Sequence, residues 1–109
     1  MNLNQFQFTR SLQSVGQACF VKFFETFASN SLSREDVIER LKSETSYTEK
    51  SCISRTGHAQ SIIKNGLAKK ALETVIASDS PKVSSETRLQ AQQLLLILNS
   101  QQRHASGRY

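Results

Sequence analysis

Apolar residues in this chain recur at steps of three and four, and no stretch of useful length alternates at a step of two. The first spacing places side chains on one face of an α-helix. A half-buried strand needs the second. Leu12, Val15, Cys19, Phe23 and Phe27 follow the helical step, with Phe20 and Phe24 beside them. Leu67, Ala68, Ala71, Leu72, Val75 and Ile76 form the cleanest stripe. The expected fold class is therefore all-α: a compact bundle of about five short helices over residues 11–28, 34–43, 48–65, 67–78 and 84–99.

Punctuation residues set these boundaries. Ser33 with Asp36 three positions later reads as a capping box opening the second helix. Thr48 can cap the third. Asn65-Gly66 is a stop, because glycine takes the positive φ that ends many helices. Asp79-Ser80-Pro81 ends the fourth helix, and Ser84 or Ser85 caps the last. Phe6 and Phe8 alternate, so residues 1–9 are expected to form a short N-terminal arm. Residues 1–99 then form a single helical domain, and 100–109 a flexible basic tail carrying Arg103, His104 and Arg108. A chain of 109 residues with 38% hydrophobic residues supports one modest core.

The information for function is densest in residues 50–72. This stretch holds Lys50, Arg55, Lys64, Lys69 and Lys70 and no Asp or Glu. Cys52, Ala59, Ile62 and Ile63 mark the inner face of its first helix. Lys50, Ser54, His58, Ser61 and Lys64 mark the outer one. Gly57 falls mid-helix, where it costs about 1 kcal/mol relative to alanine. Three uses would justify it: close packing against a neighbour, close approach of a phosphate, or a break into two helices.

The net charge is +5, which favours an anionic partner or simply keeps a small domain soluble. DNA binding needs such charge on an element that reaches phosphates or base edges. Lys50, Ser54, Arg55, His58, Ser61, Lys64, Lys69 and Lys70 are the candidate nucleic-acid contacts. A helix-turn-helix fits them only in part. A turn at Gly57 places Ile53 where a small residue belongs and His58 where an apolar one belongs. A turn at Gly66 makes the next helix too apolar to read bases. The first expectation is thus a small regulatory protein that binds DNA through the basic face of residues 50–70.

The other expectation is a protein-interaction adaptor or inhibitor, with a homodimer as one form of it. Its surface would be the Phe stripe or the aliphatic run at residues 94–98, which is apolar nearly all round. The Phe stripe reads more readily as core.

Other classes lack their motifs. Cys19 and Cys52 form no CxxC pair, and His58 and His104 have no ligand spacing with them, so no zinc site is expected. There is no Gly-x-Ser-x-Gly elbow and no glycine-rich phosphate loop. Cys52 and His58 fall on different faces of one helix, which disfavours a dyad. Glu35, Asp36 and Glu39 sit in the first turns of a helix, where acids favour the dipole. The expectation is a non-enzymatic protein with no cofactor, no small-molecule substrate and no membrane span. Buried free thiols and the lack of a signal-peptide core place it in the cytoplasm.

Overall fold

The computed structural model describes residues 4–106, with side chains through residue 101. The described residues form an all-α bundle of seven helices: α1 Gln5–Val15, α2 Gln17–Lys22, α3 Phe24–Ala28, α4 Arg34–Glu44, α5 Glu49–Lys64, α6 Ala68–Ala77 and α7 Ser85–Ser106.

The extra helices come from the expected 11–28 segment, which is divided twice. Gly16 has φ 89° and ψ 128°, a conformation that a side chain disfavours, and it separates α1 from α2. At Phe23 the backbone turns to φ −107° and ψ 18°. The N–H of Phe23 still donates to the Cys19 carbonyl at 3.0 Å, so α2 and α3 meet in a kink rather than a loop. Cys19, Phe20, Val21, Phe23, Phe24 and Phe27 are all buried. Lys22 and Glu25 stay exposed, while the buried side chains spread over a face too broad for one neighbour to cover. Here α2 lies against α6 and α7 while α3 lies against α5.

The N-terminal arm is also corrected. Residues from Gln5 onward are helical, because Asn4 and Gln7 form a capping box: Asn4 Oδ1 accepts from the Gln7 N–H at 2.8 Å and Gln7 Oε1 from the Asn4 N–H at 3.0 Å. Phe8 enters the core at 2% exposure while Phe6 stays 73% exposed. Their alternation therefore reflects two faces of a helix. Residues 1–3 of the expected arm lie outside the described residues. So does the end of the expected tail at 107–109. Residues 100–106 continue α7, as suits a segment with neither glycine nor proline.

The other signals act as read. Ser33 Oγ accepts from the Asp36 N–H at 3.1 Å, and Asp36 Oδ2 accepts from the Ser33 N–H at 3.2 Å. Thr48 Oγ1 accepts from the Ser51 N–H at 3.1 Å. Gly66, at φ 76°, donates to the Ile63 carbonyl while Leu67 donates to that of Ile62, both at 3.0 Å. That pair of bonds is a Schellman motif. Ser84 Oγ accepts from the Thr87 N–H at 3.0 Å and opens α7.

Helix α5 is the hub. It touches α1, α3, α4 and α6, while α6 packs along α7. Cys52, Thr56, Ala59 and Ile62 are its fully buried residues. The helix runs unbroken through Gly57. A Cβ there would stand 3.0 Å from Arg34 Nη2, the far end of an exposed side chain at the start of α4, so of the three uses only a loose packing contact is present.

Candidate functional site

Because α5 is packed by four neighbours, only part of it faces outward. Lys50, Ser54 and Lys64 are exposed, and His58 and Ser61 are half-buried. Lys50 and Lys64 stand near opposite ends of a 16-residue helix, about 20 Å apart along its axis.

Arg55 points elsewhere. Its Nη1 donates to the Val15 carbonyl at 2.6 Å and its Nε to Ser51 Oγ at 2.9 Å. Its guanidinium carbon lies 3.8 Å from the Tyr47 ring centroid. The Val15 carbonyl ends α1 and would otherwise lose its helical partner where Gly16 breaks the ladder. Arg55 thus fastens α5 to α1, and Tyr47 presses it into place.

Lys70 and Lys69 sit on α6, away from the α5 face. Lys70 Nζ donates to Gln5 Oε1 and stands 5.0 Å from the Phe8 ring centroid. Lys69 is half-buried. The fold therefore groups Lys50, Ser54, His58, Ser61 and Lys64 on one helix face. It assigns Arg55 and Lys70 to tertiary contacts.

The acids gather on the other side of α5's N-terminus. Lys42 Nζ bridges Glu39 Oε2 at 3.3 Å and Glu49 Oε1 at 2.8 Å. The Lys42 ammonium lowers the Glu49 pKa, and the carboxylates raise that of Lys42, Glu49 foremost. Both groups are open to water, so the cluster acts as a solvated network.

Two further features bear on function, and the sequence pattern pointed to the second of them alone. One is a cleft of about 620 Å³ where the 16–19 segment, Tyr47 and Arg55 face the 80–83 loop. Cys19 lies in its wall. Burial raises the Cys19 pKa, outweighing the opposing pull of the Arg55 guanidinium and a hydrogen bond with Tyr47. The thiol is thus held neutral. Cys19 and Cys52 are both free and buried. Among the described residues no three His, Cys, Asp or Glu side chains gather as metal ligands would.

The second feature is the outer face of α7. The Phe stripe is core, with the Phe20 ring against those of Phe24 and Phe27 and the Phe23 ring against Phe27. The run at residues 94–98 is divided. Leu94 is buried and Leu95 and Leu98 pack partly on the core, but Leu96 is 68% and Ile97 52% exposed. Leu89, one heptad before Leu96, is 56% exposed. A legible signal existed: from Leu89 to Gln102 no residue is charged.

Comparison with protein-family models, with curated proteins and with solved structures returns no match. Among the described residues, no helix is long and apolar enough to cross a membrane.

Proposed function

We propose that this protein is a non-enzymatic interaction module that pairs with a second copy of itself through the outer face of α7. The observation that carries this reading is the exposure of Leu89, Leu96 and Ile97 on a helix segment without a single charge. Interface cores are depleted in charge in this way, whereas a solvated helix face usually is not. The arrangement is self-complementary. In an antiparallel two-fold pairing centred on Gln92 and Gln93, Leu89 of each copy faces Leu96 of the other. That is the condition an isologous contact imposes. About that centre the helix overlaps its copy over residues 85–100, a seam of about 24 Å.

Sedimentation equilibrium of the full chain tests this. The expected species is a dimer, and Leu96→Glu yields a monomer with an unchanged helical circular dichroism spectrum. A wild-type chain that stays monomeric at high micromolar concentration sinks the proposal.

DNA binding is the second reading. It is favoured by the outward set Lys50, Ser54, His58, Ser61 and Lys64 in a stretch free of acids. Duplex DNA titrated at two salt concentrations tests it, with a log–log slope of about −0.9 per phosphate contact expected. Arg55→Gln is expected to leave that slope unchanged, because its guanidinium serves the fold.

A further inference from the structure

The cleft beside Arg55 has a chemistry that neither reading above uses. Three remote parts of the chain form it: the junction of α1 and α2, the connection carrying Tyr47 with the adjoining α5, and the loop before α7. Its polar lining is Gln13, Gln17, Tyr47, Arg55, Ser80 and Lys82, and no Asp or Glu lines it. Every one of these side chains can donate a hydrogen bond, and two are cations. Ala18 and Val83 add apolar wall, together with the Tyr47 ring.

The guanidinium is fixed before any ligand arrives. Its bonds to Val15 and Ser51 and its stacking on Tyr47 hold it in one geometry. A ligand meeting it loses little further side-chain entropy. Lys82 is exposed and lines the same cleft, on the loop before α7. The volume lies within the usual range of small-molecule sites.

We propose that this cleft binds a small organic anion, its charge between Arg55 and Lys82 and its apolar body against Ala18, Val83 and the Tyr47 ring. A fixed guanidinium and an exposed ammonium lining one cleft suit a carboxylate, whose two oxygens can accept from both. An acid-free, donor-rich lining disfavours cations and gives a neutral molecule of the same shape no charge to satisfy.

The test is a titration of the ¹⁵N-labelled full chain with 3-phenylpropionate, and in parallel with 3-phenylpropanol, which keeps the body and lacks the charge. The expected result is saturable shifts at the amides of Ala18, Cys19 and Val83 with the carboxylate. The alcohol is expected to bind about tenfold more weakly or worse. Lys82→Ala, at an exposed loop position, is expected to weaken the carboxylate by about tenfold and leave the alcohol unchanged. Lys50→Ala, outside the cleft, changes neither. Equal binding of acid and alcohol overturns the proposal. So do shifts centred away from the cleft, an unaffected Lys82→Ala protein with an intact thermal melt, and an absence of saturable shifts at millimolar carboxylate.

Discussion

Gly16 and Gly57 each have an arginine nitrogen 3.0 Å from where a Cβ would stand. The two positions nevertheless respond to alanine in opposite ways. At Gly57 the backbone is ordinary helix and the neighbour is the far end of Arg34, an exposed side chain that can swing aside. The gain in helix propensity then dominates, and Gly57→Ala is expected to stabilise the protein by up to about 1 kcal/mol. At Gly16 φ is +89° and the neighbour is Arg55 Nη1, which is pinned on the Val15 carbonyl. Backbone strain and a displaced hydrogen bond add, so Gly16→Ala is expected to cost about 2 kcal/mol or more. Urea unfolding of the two variants reads both signs. Equal effects would contradict this account of the pinned arginine. Gly57 was visible in the sequence as an anomaly. Gly16 was not, because a glycine between two helical stripes looks the same whether the helix continues or stops.

Capping decides where most of the helices begin. Ser33 completes both bonds of its box with Asp36, and Ser33→Ala is expected to cost about 1 kcal/mol. A thermal melt of that variant checks it, and Ser33→Asp should retain most of the stability because aspartate caps equally well. The Asn4–Gln7 box has the same logic and was equally legible, yet the alternation of Phe6 and Phe8 drew attention to an extended arm instead. Helix α7 shows the limit of pattern reading. Its aliphatic run marks it as a helix to be wrapped, but packing on α6 and α2 covers one side only. Leu89 and Leu96 are left facing outward. Which side is covered depends on the neighbours, and one-dimensional spacing does not contain them.

For the molecule as a whole, pH connects the buried cluster to stability. Burial raises the pKa values of Cys19 and Tyr47 above their ordinary values of 9.0 and 10.0. In the unfolded chain these groups lose their protons first, so the folded state binds more protons over that range. Stability is then fully present below the unfolded pKa and falls as pH rises towards the folded one. The expected outcome is a declining melting temperature above about pH 9. Cys19→Ala is expected to flatten part of the decline, with Tyr47 supplying the rest. Glu49 acts at the other end. Its lowered pKa contributes stability above the ordinary carboxylate range that is lost as the pH falls through the folded value. Water screens the Lys42 cluster, so that acid limb is shallow.

The amino-acid sequence by itself determined the helical class, most helix ends and the identity of the inner faces. These follow from local physics: a periodicity of three and four, hydroxyl caps, and the positive φ of Gly66. Tertiary structure decided what each outward residue is for. The basic stretch of residues 50–72 counted five cations alike, but Val15 at the end of α1 claims Arg55, and Gln5 and Phe8 claim Lys70. The cleft likewise joins residues from 13 to 83, brought together only when α1, α5 and the loop before α7 meet. A side chain's face is set within one helical turn. Its partner is set by segments tens of residues away, and that long-range choice is made only when the bundle packs.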